Sequence, residues 1–238
     1  MANQEFRLHQ MMQNNMIQNN KVIRVCENIQ KSCPDCLGAG CIKCARTISR
    51  IQKYSDSGIP TGYWTLSFQS FIGDQNYKDI VQKIISDIDC VYDSGKSYMF
   101  AGPLGVGKTY GISSILKMAI CKDYSVKYSS MVEVINEILS GDKSTTISDL
   151  IKYDFLAIDE FDNRWIFPSE KSEQMFGSTM EYILRSRFQN GLPTILATNN
   201  AEVDDILKGM HGKAFSSLRT QYMQTVFLSG KDFRKRQK

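Results

Sequence analysis

The chain has 238 residues, a hydrophobic fraction of 42%, a charged fraction of 23% and a formal net charge of +4, the make-up of an ordinary globular protein. That length leaves room for one large α/β domain or a smaller one with an appendage. No apolar run approaches the roughly 18 residues of a membrane span. Met1 to Arg7 also lacks the apolar stretch of a secretory signal, so a cytoplasmic location, no membrane contact and reduced cysteines are expected.

The charge is unevenly spread. Residues 1–57 hold eight Lys/Arg against four Asp/Glu, and residues 230–238 hold five against one. The middle of the chain, 58–229, holds sixteen against twenty. Basic ends on an acidic centre suit nucleic-acid contact through the ends, or simply a solvated tail from Lys231 to Lys238.

Residues 1–30 are rich in Gln, Asn and Met. Met12, Met16 and Ile17, then Val22, Val25 and Ile29, recur at helical spacing and predict one or two amphipathic helices. Cys33, Cys36, Cys41 and Cys44 follow as C-x₂-C-x₄-C-x₂-C, four of the seven cysteines within twelve residues. Thiolates two residues apart can grip one tetrahedral Zn²⁺, and Gly38 and Gly40 let the chain fold back to complete the cage. The cluster resembles a zinc knuckle, or half of the glycine-bearing zinc repeats of DnaJ-type chaperones. An iron–sulfur cluster and a free-thiol turn are the alternatives. Four thiolates leave no open position for water, so the zinc is structural and the module a docking element. Cys26, Cys90 and Cys121 are expected as ordinary semi-buried residues.

Tyr54 to Gly62 reads as a linker by its Ser, Gly and Pro content. The expected domains are therefore an N-terminal helical and four-cysteine zinc module over 1–53, the linker 54–62, and a nucleotide domain over 63–238 with a basic tail. An α/β alternation then runs onward: helix 77–92, strand 97–101, a helix from Tyr110 to Cys121, strand 125–129, helix 131–139, a polar loop 140–147 and strand 153–159. Helix 170–190, strand 193–198, helix 201–209 and strand 223–228 complete it. Strands alternating with helices imply a parallel sheet covered on both faces.

Between the first strand and its helix stand Gly102, Pro103, Leu104, Gly105, Val106, Gly107, Lys108 and Thr109, a full match to G-x-x-x-x-G-K-[ST] in its strand–loop–helix setting. The glycines let backbone N–H groups turn inward around phosphate oxygens at a helix N-terminus. Lys108 is expected to reach the β- and γ-phosphates, and the Thr109 hydroxyl to ligate Mg²⁺. The ligand implied is a nucleoside triphosphate with Mg²⁺. Strand 153–159 ends in Asp159 and Glu160, a Walker B pattern. Asp159 would hold Mg²⁺, and Glu160 would orient or deprotonate the attacking water. Strand 193–198 ends in Thr198-Asn199-Asn200, where a polar amide would sense the γ-phosphate. Asn199 is the better candidate and Asn200 the alternative.

Taken together, Gly58-Ile59-Pro60, the phosphate loop, Ile158-Asp159-Glu160, Arg187 with Leu192-Pro193-Thr194-Ile195-Leu196 and Thr198-Asn199, and the closing Ser229-Gly230-Lys231-Asp232-Phe233-Arg234 resemble the DnaC/DnaI-type helicase loaders. They equally resemble the related IstB transposition helpers. Residues 58–236 are covered. The resemblance implies an AAA+ P-loop sheet with little or no helical lid, preceded by the small zinc-binding module. It also implies a slow Mg-dependent ATPase and self-association through the ATP site. Its expected partners are a DnaB-type replicative helicase, gripped by the zinc module, and single-stranded DNA. Arg219 is the candidate arginine finger, one residue out of the family's order, and Arg187 a second residue that would act across a subunit boundary. Arg234 is expected near the nucleotide or the DNA. The IstB-like alternative assembles on duplex DNA. A non-catalytic nucleic-acid module is a further class, opposed by Glu160; a nucleotide kinase lacks its arginine-bearing lid here.

Overall fold

The computed structural model describes residues 20–140, 143–162, 169–200, 203, 206 and 209–233. Met12, Met16, Ile17, Arg234 and most of the helix expected over 201–209 lie outside them. The chain divides into two units, residues 1–65 and 66–238.

In the first unit, α1 (Asn20–Lys31) packs on α2 (Ile42–Asp56). α1 buries Val22 and Cys26, and α2 buries Cys44, Ile48, Ile51 and Tyr54, spaced three or four residues apart along one face of each helix. Burial pushes the Cys26 thiol up to about 11, so it is an inert core group. Cys90 and Cys121, expected to be semi-buried, are exposed. α2 runs through Tyr54 to Asp56, so the stretch read as linker begins helical. Ile59 and Trp64 are then buried, with the indole N–H donating to the Ile59 carbonyl at 2.7 Å.

The second unit is a five-stranded sheet in the order β2-β3-β4-β1-β5: β1 (Ser97–Ala101), β2 (Val126–Ser130), β3 (Phe155–Asp159), β4 (Thr194–Thr198) and β5 (Met223–Phe227). All four pairings are parallel. Composition explains the order. SYMFA, FLAID and TILAT are buried at every position and take the centre, whereas VKYSS and MQTVF are only partly buried and lie at the edges.

The helices are α3 (Gln75–Ser86), α4 (Ile88–Ser94), α5 (Lys108–Cys121), α6 (Met131–Ser140), α7 (Lys143–Lys152), α8 (Glu170–Gln189) and α9 (Gly209–Tyr222). One core layer sets Met99, Leu156, Ile158 and Leu196 against Val134, Ile138, Phe176, Met180, Ile183 and Phe215. On the N-terminal side α3 carries Asp74 as its cap, its carboxylate accepting from the Tyr77 amide at 3.0 Å.

Three further expectations need correction. Helix 77–92 is two helices, broken at Asp87, which ends α3 and precedes α4. The polar loop 140–147 gives way to α7, beginning at Lys143. A helix not expected at all, α9, fills the stretch before β5.

Candidate nucleotide site and cysteine cage

The order of the strands decides what meets what. β4 lies between β1 and β3, so the carboxyl ends of β1, β4 and β3 bring the phosphate loop, Asn199 and Asp159 to one edge. In a parallel sheet that edge is where ligands bind.

The loop is shaped by glycine where no side chain fits. Gly105 has φ +77°, and a Cβ there would lie 1.7 Å from the Asp232 carboxylate. Gly107 has φ +102°, and a Cβ there would lie 2.4 Å from the Phe71 ring. The closing segment braces the loop, since the Phe233 amide donates to the Gly105 carbonyl at 3.1 Å. On the other flank Phe68, Phe71, Tyr77 and Tyr110 form a cluster of stacked and edge-on rings. Gly111 admits the Tyr77 hydroxyl, which donates to the Lys108 carbonyl at 3.1 Å.

Lys108 is 7% exposed, and its ammonium donates to the Gly102 carbonyl (2.7 Å), the Pro103 carbonyl (2.8 Å) and Asn199 Oδ1 (2.9 Å). The Asn199 amide nitrogen in turn donates to Asp162 Oδ2 at 3.2 Å. Its orientation follows from chemistry, because Lys only donates and a carboxylate only accepts. The Thr109 hydroxyl donates to Asp159 Oδ2 at 2.6 Å, and the Tyr128 hydroxyl donates to the same oxygen at 2.8 Å. Thr109 and Asp159 thus present adjacent hard oxygens, the donor set Mg²⁺ prefers. Glu160 is exposed and has φ +54°, a left-handed conformation costly for a residue with a Cβ. Its amide is held by Asp159 Oδ1 at 2.8 Å. Strain at the end of a buried strand, beside the loop, makes Glu160 a candidate functional position.

Asn199, not Asn200, makes the contact to Lys108; the Asn200 amide donates to the Thr198 hydroxyl at 3.0 Å. Arg219, on the last turn of α9, donates to Thr225 on β5 at 3.0 Å. Arg187 cannot act across a subunit boundary. It is fully buried, and its guanidinium bonds to the Thr194 hydroxyl and the carbonyls of Leu150, Ile151, Tyr153 and Pro193. Burial lowers its pKa to about 9, opposed by the Asp154 charge, and it stays a cation at neutral pH. Residue types alone do not single out Phe71, Tyr128, Asp162 or Asp232. Asp162 carries one available signal, a third acid just after Asp159-Glu160.

In the first unit the four cysteine sulfurs all lie within 4.8 Å of one another. Cys33 and Cys41 are 3.9 Å apart, Cys36 and Cys44 3.6 Å, and Cys41 and Cys44 3.7 Å, sulfur to sulfur. A tetrahedron with Zn–S bonds of about 2.3 Å has edges of about 3.8 Å. The donor set fits one zinc ion, and the cage is too small for a multi-iron cluster. Leu37, Gly38 and Gly40 take positive φ to turn the chain, and the Gly40 amide donates to Cys36 Sγ at 3.3 Å. The Cys44 amide and neighbouring groups lower the Cys41 thiol to about 7, whereas burial raises Cys44 to about 12.

The glycine loop after β1, the acid pair at the end of β3 and the polar amide at the end of the strand between them, on a five-stranded parallel sheet, match the AAA+ class of P-loop folds. Within that class the chain has the fold of the DnaC/DnaI-type helicase loaders. It superposes on the crystal structure of the DnaC helicase loader with a TM-score of 0.60 at 15% identity, covering 71% of this chain and 100% of that one. DnaI follows with a TM-score of 0.55 at 20% identity, over 73% and 93%. The replication initiator DnaA, bound to AMPPCP and single-stranded DNA, gives 0.54 at 17% identity over 73% of this chain and 51% of that one. No protein-family model and no curated protein sequence matches the chain. No helix among the described residues is long and apolar enough to cross a membrane.

Proposed function

We propose that this protein is an ATP-dependent helicase loader. The observation that carries the reading is the Lys108–Asn199–Asp162 chain beside the Thr109–Asp159 pair. It couples the phosphate loop to the strand that lies between loop and acids.

In this reading Gly102 to Thr109 hold the phosphates of ATP, Lys108 stabilises charge on the γ-phosphoryl group, and Thr109 and Asp159 hold Mg²⁺. The bound metal would neutralise charge across the β- and γ-phosphates. Glu160 orients the attacking water and accepts its proton. Asn199, tied to Lys108, registers the γ-phosphate. Arg219 serves a neighbouring copy's site, which makes turnover slow until subunits assemble. Because β4 is shared by both halves of the site, ATP and ADP states differ at its end, a two-state element of the kind switches use.

Residues 1–53 form the docking module. Cys33, Cys36, Cys41 and Cys44 hold Zn²⁺, and Leu37 and Ile42, 87% and 67% exposed at its tip, meet a DnaB-type replicative helicase. The likeness to DnaC and to single-stranded-DNA-bound DnaA supports delivery of that helicase to single-stranded DNA in the cytoplasm. The test is capture of candidate replicative helicases, with ATP and Mg²⁺, by the intact protein and by Cys33→Ser/Cys36→Ser. Capture by the intact protein alone establishes the loader. No capture, with duplex-DNA binding instead, points to the IstB-like transposition helper.

A further inference from the structure

Helix α2 carries Lys43, Arg46, Arg50 and Lys53. Their spacing of three, four and three residues puts them on one face. All four are exposed, while Cys44, Ile48, Ile51 and Tyr54 on the other side are buried. At 1.5 Å per residue the row runs about 15 Å along the helix. Lys43 pairs with Asp35 at 2.8 Å. Arg46 and Arg50 make no ion pair with any described residue. Asp56, one turn beyond the row, accepts from Gln52 at 2.7 Å.

We infer that this row is a binding surface for the phosphate backbone of single-stranded nucleic acid, separate from the nucleotide unit. Two observations choose a phosphate backbone. From Lys43 to Lys53 the exposed side chains are Lys43, Arg46, Ser49, Arg50 and Lys53. Basic and hydroxyl groups of this kind contact phosphates, whereas a protein interface needs a central apolar or aromatic anchor and is depleted in Lys. Among the described residues of this unit, the exposed large apolar side chains, Leu37 and Ile42, lie instead on the cysteine loop and its junction with α2, leaving the row itself free of them. The choice of a single strand rests on the proposed loader reading, in which the nucleic acid is single-stranded DNA. Cys44, on the first turn of α2, belongs to the four-cysteine cage, so zinc bound there would anchor the start of the row.

The inference deepens the loader reading by adding a second DNA contact, but it rests on the first unit alone. It therefore predicts binding that does not require ATP. The test is fluorescence anisotropy of a labelled oligothymidylate with the full-length zinc-loaded protein, without nucleotide, across a salt titration. Each phosphate contact on a single strand contributes about 0.7 to the slope of log K against log salt. Arg46→Gln/Arg50→Gln should lower that slope by about 1.4, so a fourfold rise in salt costs the variant about sevenfold less affinity than it costs the parent. Arg46→Lys/Arg50→Lys should keep the parental slope, and Lys108→Ala, which disables the nucleotide site, should leave the effect of the Gln pair intact. An unchanged slope and affinity in the Gln pair overturns the inference. So does loss of helicase capture with oligothymidylate binding preserved, which would make the row a protein contact.

Discussion

Asn199 Oδ1 accepts a hydrogen bond from the Lys108 ammonium at 2.9 Å, joining residues 91 positions apart in the chain. The bond exists because β4 is inserted between the strand that feeds the phosphate loop and the strand that ends in Asp159. Asp162, fully buried, holds the other end of the amide. Asn199→Ala should lower kcat for ATP hydrolysis about a hundredfold, the scale of losing one positioned polar group at a reacting centre. KM for ATP should change little, since Lys108 keeps its loop contacts. Steady-state kinetics decide; a loss confined to KM would reduce Asn199 to a binding residue.

Glu160 is held in a left-handed conformation at φ +54°. Glu160→Gln keeps the shape and removes the base, so ATP binding should survive while hydrolysis drops by about a hundredfold or more. Filter binding and phosphate release measure the two separately. Undiminished hydrolysis would remove Glu160 from the chemistry and revive a non-catalytic module.

Gly105 faces Asp232 across the gap a Cβ would fill. Gly105→Ala should cost about 1–2 kcal/mol in backbone strain alone, and more from the clash. Adding Asp232→Ala should return the steric part and leave the strain. Thermal melts of the two singles and the double separate the terms; simple additivity would mean the two residues do not meet.

Arg187 serves five acceptors with one planar cation. Arg187→Ala strands buried carbonyls and should cost about 3 kcal/mol or more in urea unfolding. Arg187→Lys should recover only part, because an ammonium has three donors and no fork. A stable Arg187→Ala protein that merely failed to self-associate would contradict this.

Asp74 accepts from the Tyr77 and Ser229 amides and the Ser229 hydroxyl. The Tyr77 amide first, then that of Ser229, holds its carboxyl below the usual value of 3.8. A carboxyl depressed on folding contributes stability that is present above its unfolded pKa and lost as pH falls through the folded one. Asp74→Ala should therefore cost about 1 kcal/mol at neutral pH, and the gap should close below about pH 4. Urea midpoints at a series of pH values would show it; a constant gap would exclude the charge.

The reach of sequence reasoning differs from element to element. Strand 97–101 and helix 170–190 are legible because an unbroken apolar run or a long helical period is a local property. α7 is not. Lys143-Ser144-Thr145-Thr146 is a poor helix opening on propensity, and the helix is rewarded elsewhere. Leu150 is buried in the core, and the Leu150 and Ile151 carbonyls, left over at the helix end, are capped by Arg187 of α8. The place of Arg187 is hidden for the same reason, since a lone arginine does not announce that its partners are backbone carbonyls 34 to 37 residues away.

By itself the sequence determined the phosphate loop, the acid pair and the four-cysteine spacing. Each is a chemical requirement written in consecutive residues, where glycine, lysine, carboxylate or thiolate admits few substitutes. Only the tertiary structure decided that Asn199 faces Lys108, that Tyr128 steadies Asp159, and that Asp232 braces Gly105. Those contacts depend on which parallel strands become neighbours. That choice is made by burial of the three fully buried strands at the centre of the sheet, not by any short stretch of chain.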